Sequence, residues 1–296
     1  MPDRFDIVRL AALVLLLLCT KTGYSRPDMS PLGPNIADRG SAYYRFTVNT
    51  FDSSDGQRHY KVWTGIPNIT PPKEGFPVLY MLDGNAVMDK LSDAFLQKLS
   101  AAHPPVLVVI GYQTALPFDL DARAYDYTPA TKDNPQAFRG RAGGGSDIFR
   151  HLLEKTIAPV AEKGIKIDEN KRGLWGHSYG GLFVMDAWLK STFFNAYYAA
   201  VPSLAQNNFA LLNEVQSTPQ NRASAKHLYI LEGDGDRGKK DENKGPDVLH
   251  IVRNTVSQLN EKGVSATYRL YPGLTHGAMF TASLYAALLQ QADAAR

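Results

Sequence analysis

Residues Gly176-His177-Ser178-Tyr179-Gly180-Gly181 place a serine two positions after one glycine and two before another. That spacing fits a nucleophile elbow, the sharp strand-to-helix turn that lifts a serine hydroxyl clear of an α/β sheet. Side chains at 176 and 180 are expected to collide in so tight a turn. Gly181 is expected to let the following helix pack closely on the strand. The spelling is short, so its setting decides. Lys171-Arg172-Gly173-Leu174-Trp175 reads as a short strand leading in. Leu182-Phe183-Val184-Met185 and Ala187-Trp188-Leu189 continue as an amphipathic helix, which completes the strand–turn–helix order that the motif requires.

The rest of the chain supplies a sheet for that elbow. Residues 41–48 and 59–64 alternate with period two around Asp52-Ser53-Ser54-Asp55-Gly56, as an antiparallel hairpin does. Residues 77–82 and 106–110 are continuous apolar runs, the pattern of parallel strands buried on both faces. A helix is expected between them, from Met88 to Leu99. Later strands are expected at 196–201, 227–231 and 266–271, and helices at 149–162, 248–259 and 278–289. Strands alternating with helices after an antiparallel start predict an α/β-hydrolase fold: a mostly parallel central sheet with helices on both faces. Residues 113–145 are long and polar, carry Pro117, Pro129 and Pro135 and end in three glycines before Ser146, a candidate helix N-cap. Loops of that length usually serve function. This one is expected to be an inserted substrate-binding loop.

Arg4 and Arg9 precede the apolar run 10–18, and Gly23-Tyr24-Ser25 offers small residues at a cleavage site. Residues 1–25 therefore read as a signal peptide, because the run falls far short of the roughly 20 residues that span a bilayer. Residues 26–296 are then expected to form a single domain in the periplasm, with no stable membrane insertion after signal removal. The only cysteine, Cys19, lies in the segment removed, so stability rests on the core rather than on disulfides. A net charge of +3 gives no reason to expect a nucleic-acid partner.

A serine hydroxyl needs a base to take its proton. Pro272-Gly273-Leu274-Thr275-His276-Gly277 follows the last expected strand, which makes His276 the candidate base for Ser178. His177 adjoins the serine, but the elbow is expected to turn its side chain away. A third, acidic member should follow the strand ending at Leu231, where Glu232-Gly233-Asp234-Gly235-Asp236 offers three carboxylates. Asp236 has the usual spacing, Glu232 is second, and whether any third carboxylate works stays open. The oxyanion needs preorganised donors. The backbone N–H of Tyr179 is one candidate and that of Asn85, in Leu82-Asp83-Gly84-Asn85, the other. In the long loop, Arg123, Tyr125, Arg139 and Arg141 suggest a site for an anionic, aromatic ester, with Arg123 and Tyr125 as substrate-binding residues. The competing reading pairs Arg123 with Asp119, Asp121 or Asp126. No cluster with metal-ligand spacing is visible, and no cofactor is expected.

Beyond the elbow, the chain resembles the periplasmic esterases of trilactone catecholate siderophores, enterobactin and its glucosylated form salmochelin. The resemblance runs through residues 26–37, 80–88, 111–114, 123–129, 172–183 and 276–280. It implies a serine esterase that opens siderophore lactone bonds, ferric or iron-free, with Ser178 and His276 as a dyad lacking a full triad and Arg123 meeting the catecholate. The rival readings are a carboxylesterase or acyl-thioester hydrolase with a small substrate, and a non-catalytic siderophore-binding protein.

Overall fold

A computed structural model describes residues 27–130, 140–204, 209–223, 225–236 and 247–293. The expected signal peptide and Arg139 lie outside these residues. After a short capped helix α1 (Ile36–Arg39), the hairpin forms as β1 (Tyr44–Asp52) and β2 (His59–Pro67). Then follow β3 (Phe76–Met81), α2 (Gly84–Lys90), α3 (Asp93–Ser100) and β4 (Val106–Tyr112). The expected single helix from Met88 to Leu99 is thus two, because Ser92 caps a second helix by accepting the N–H of Phe95 at 3.2 Å.

The long loop contains its own helix, α4 (Leu120–Asp126), capped by Asp119. Helix α5 (Ser146–Leu152) runs through a π-helical turn, Leu153–Ile157, into α6 (Ala158–Ala161). Ser146 does not cap α5: Gly145 holds the N-cap position, and the Ser146 hydroxyl donates to buried Asp186 at 2.6 Å. The chain continues with β5 (Ile167–His177), α7 (Tyr179–Lys190), β6 (Ala196–Ala200), α8 (Phe209–Ser217), α9 (Gln220–Ala223), β7 (His227–Gly233), α10 (Val248–Glu261), β8 (Ala266–Tyr271) and α11 (Ala278–Asp293).

The strands form one sheet in the order β1-β2-β4-β3-β5-β6-β7-β8. The β1–β2 and β2–β4 pairs are antiparallel and the others parallel. This is the α/β-hydrolase arrangement expected from the sequence. Side chains alternate across each strand, so the sheet carries a core on each face. One holds Val78, Tyr80, Leu174, Phe183 and Trp188, the other Leu79, Met81, Trp175 and Leu284. The elbow leaves the C-terminal end of central β5, where α/β sheets place their ligand sites.

Candidate active site

Ser178 lies at φ 61°, ψ −112°, between the last residue of β5 and the first of α7. Such a backbone is strained for any residue with a side chain, and it projects the hydroxyl out of the turn. The glycines sort into different jobs. A Cβ on Gly176 would sit 2.4 Å from the carbonyl carbon of Gly180, so this position tolerates no side chain. Gly181 is needed because α7 passes close to the end of β6, where a Cβ would meet Ala200 O at 2.8 Å. Gly180 is less demanding than the motif suggested: its nearest contact would be an ordinary 3.6 Å to Leu82.

The loop from β8 to α11 brings His276 to the same end of the sheet. Its ring lies 4.8 Å from that of His177, the residue before the serine. His276 as a residue is open to solvent, yet protein atoms crowd its imidazole. This desolvation lowers its pKa below the ordinary histidine value; Asp236 opposes the shift and Arg123 adds to it. An imidazole kept neutral in this way can accept a proton. The Ser178 hydroxyl shares its hydrogen bond, 3.0 Å, with Ser203 Oγ, and the Ser203 N–H donates to Ser178 O at 3.1 Å. Sequence reasoning missed Ser203. Its only signal is its place just after the end of the strand beside β5.

The ring of His177 meets those of His276 and Phe280. It is buried, and its Nε2–H donates to His276 O at 2.8 Å. Burial first, and then the neighbouring His276, hold its pKa well below the ordinary value. Asp236 is also near His276, but its Oδ2 accepts the His276 main-chain N–H, at 2.7 Å. The imidazole bond expected of a triad acid is not the contact this carboxylate makes. Glu232 is buried, and its Oε1 has no partner among the described residues; burial alone raises its pKa to about 8. It projects from the opposite face of β7 to Gly233, whose Cα faces Leu274 and Met279 of the histidine segment.

Arg123 is brought beside the elbow by a partner that the sequence did not suggest. Its Nε and Nη2 form a fork, both bonds 2.8 Å, on the carboxylate of buried Asp83. Its guanidinium lies 5.3 Å from the rings of Phe118 and Tyr179. Burial opposes the charge, but Asp83 overcomes it and raises the arginine's pKa. The three expected acidic partners are all engaged elsewhere: Asp119 caps α4, Asp121 binds Arg141 at 2.8 Å, and Asp126 pairs with Arg58 at 3.0 Å. Arg141 is therefore held at the surface. Tyr125 points away from Arg123, because residues two apart on a helix lie on different faces. Its ring stacks under Arg58 at 4.3 Å. Tyr127, one turn on from Arg123, takes the place beside it and accepts the Asp83 N–H at 3.2 Å.

The Asn85 side chain ties α2 to the end of β4. Its Nδ2 donates to Tyr112 O and Thr114 O, and its Oδ1 accepts the Tyr112 N–H. Its backbone N–H lies in the first turn of α2, and that of Tyr179 in the first turn of α7. Among the described residues, no group of three or more His, Cys, Asp or Glu could hold a metal ion, and no helix is long and apolar enough to cross a membrane.

Comparison with known proteins agrees with this geometry. The chain is 52% identical over 279 residues to the apo-salmochelin esterase of Escherichia coli O6:H1, covering 93% of this chain and 88% of that protein. It is 29% identical to the ferri-bacillibactin esterase BesA of Bacillus subtilis, covering 77% and 83% respectively. Among solved structures it resembles the enterobactin and salmochelin hydrolase IroE with a TM-score of 0.79 and 51% identity, over 88% of this chain and 99% of that one. The model of the family described as "Putative esterase" matches residues 53–291. The strained serine, the neighbouring histidine and this match agree: the chain is a carboxylic ester hydrolase of that esterase family.

Proposed function

We propose that this esterase hydrolyses the lactone bonds of enterobactin-type catecholate siderophores. The observation that carries the reading is Ser178 on its strained elbow, with His276 and the Arg123–Asp83 pair at the same end of the sheet. Similarity to a salmochelin esterase and to an enterobactin and salmochelin hydrolase supports the substrate class. Ser178 leaves Ser203, hands its proton to His276 and attacks the ester carbonyl. The N–H groups of Asn85 and Tyr179 receive the oxyanion. His276 returns the proton to the leaving serine oxygen; it then takes a proton from the water that attacks the acyl carbonyl and gives it back to Ser178 Oγ as the acid departs. Arg123 uses two nitrogens on Asp83, while Nη1 makes no hydrogen bond among the described residues. That side of the guanidinium is the one offered to an anionic catecholate, with Phe118 and Tyr179 beside it. Opening the macrocycle converts a preorganised ligand into flexible pieces, which weakens its hold on iron.

Residues 1–25 direct export and the remaining chain works as a single domain in the periplasm. N-terminal sequencing of the exported protein tests this, and a start at Arg26 is the expected result. Mass spectrometry of enterobactin incubated with the protein, ferric and iron-free in parallel, tests the activity. Linear products are expected, and Ser178→Ala is expected to abolish them while leaving ligand binding nearly intact. Intact enterobactin alongside rapid turnover of short acyl esters would overturn the substrate assignment. Turnover by Ser178→Ala within tenfold of the parent enzyme would overturn the role of the serine.

A further inference from the structure

We propose that His177 and Asp236 are positioning residues that clamp the peptide groups of His276 from its two sides, and that Asp236 works on the main chain rather than on the imidazole. The proposal rests on reading His276 as the base.

The segment after β7 and the segment after β8 are joined by a short ladder. Gly273 N–H donates to Asp234 Oδ1 at 2.6 Å, Gly235 N–H to Leu274 O at 2.9 Å, and His276 N–H to Asp236 Oδ2 at 2.7 Å. The two backbones touch: a Cβ on Gly233 would lie 2.3 Å from Leu274 O, and one on Gly235 2.4 Å from Gly273 O. Residues 234–236 thus accept two amides of the histidine segment, on Asp234 and Asp236, and donate one N–H, from Gly235, back to it. From the other side, His177 donates to His276 O at 2.8 Å. His177 is fixed by the sheet, since it is the last residue of β5, paired with Ala200, and its ring packs on Phe280 at 5.3 Å.

The peptide N–H and C=O of the base are thus tied to β7 and β5, the strands on either side of β6. Either bond lost lets the imidazole drift from a hydroxyl it has to meet at hydrogen-bond distance, and small misplacements are expensive in rate. The charged groups that act on the His276 ring are Asp236, which favours its protonated form, and Arg123, which opposes it.

The two roles open to Asp236 give opposite results with asparagine. An amide oxygen accepts a main-chain N–H much as a carboxylate does. By contrast, replacing a triad aspartate by asparagine costs about 10⁴-fold in kcat, because the imidazole takes the wrong tautomer. Asp236→Asn, Asp236→Ala, His177→Gln and His177→Leu should be assayed on enterobactin and on a chromogenic phenyl ester. Asp236→Asn is expected to stay within about tenfold of the parent kcat. Asp236→Ala and His177→Leu are expected to lose roughly 10- to 100-fold in kcat with little change in KM, as befits a lost hydrogen bond. His177→Gln, which keeps a donor, should recover part of the loss. The acid limb of kcat/KM should move to lower pH in Asp236→Asn, because the lost carboxylate no longer favours the imidazolium.

A loss near 10⁴-fold in Asp236→Asn would overturn the proposal and make Asp236 a triad acid. So would parent-like activity in Asp236→Ala. Should Asp236→Ala fail to fold, the asparagine variant still decides between the roles. Ser178→Ala and His276→Ala in the same assays test the esterase reading separately. If either keeps turnover, that reading fails whatever Asp236 does.

Discussion

Ser178 holds a positive φ that costs on the order of 1–3 kcal/mol, and the surrounding contacts over-determine it. Its N–H donates to Ala200 O and its O accepts the N–H of Leu182 and of Ser203. The strain is stored where the hydroxyl is presented, which is the expected place for it. Asp83, also at positive φ, anchors Arg123 next to this turn. That pair is buried, so breaking it exposes the cost of an uncompensated charge, about 3–5 kcal/mol. Arg123→Ala is therefore expected to lower the thermal midpoint by roughly 10 °C, beside any effect on substrate. The double variant Arg123→Met with Asp83→Asn should regain most of that loss in a melting experiment. If Arg123→Ala melts like the parent protein, the fork on Asp83 carries no stability. Any rise in KM that survives in the double variant then belongs to the substrate contact.

Among the secondary-structure elements, the main surprise is length. The strand before the elbow runs eleven residues, Ile167–His177, where the sequence suggested five. Its first half has one apolar residue, Ile167, followed by the polar run Asp168-Glu169-Asn170-Lys171-Arg172, so pattern alone does not reveal that Ile167 pairs with Phe76 of β3. Helix α4 was hidden in the same way, inside a loop that looked irregular. Its seven residues are held by the Asp119 cap and by Arg123 and Tyr127 docking on Asp83, contacts distant in sequence. Helix α7 shows the reverse case, where sequence and packing agree. It starts at the elbow and lies against β6, so close that Gly181→Ala would press a methyl into Ala200 O. Chemical denaturation of Gly181→Ala should show a loss of about 1–3 kcal/mol, the usual cost of overpacking. An unchanged midpoint would mean that α7 can shift away from the sheet without penalty.

Taken together, the sheet and its two cores bury a few ionisable groups, and these set how stability varies with pH. Glu232 is raised to about 8 by burial alone, and Asp126 to about 7 by burial that outweighs Arg58 and the hydroxyls of Tyr60 and Tyr112. Both folded values exceed those of the unfolded chain. Between the unfolded and folded values the native state holds more protons, so stability falls as pH rises through that window. Glu232→Gln removes one such group without changing its shape. It is expected to raise the melting temperature by several degrees at roughly pH 9 and by little at roughly pH 5. An equal gain at both pH values would show that Glu232 is not titrating in the folded protein. His177, held neutral, contributes in the opposite sense: stability drops as pH falls below the ordinary histidine value, where the unfolded chain takes up the proton first.

The hydrolase fold, the strand–turn–helix around Ser178 and the place of His276 in the turn after the last strand were legible because each follows from local rules. Apolar runs of strand length, period-two hairpins, and a glycine-spaced serine between a strand and a helix leave few architectures open. The partners of these residues were not legible. Asp83 on Arg123, Ser203 on Ser178, and His177 with Asp236 on the His276 peptide are contacts across 25 to 99 positions of chain. Which polar groups pair inside a packed core depends on how strand ends and helix faces converge. Carboxylates at 83, 119, 121 and 126 are chemically alike, and only the assembled sheet selects the one that meets the arginine.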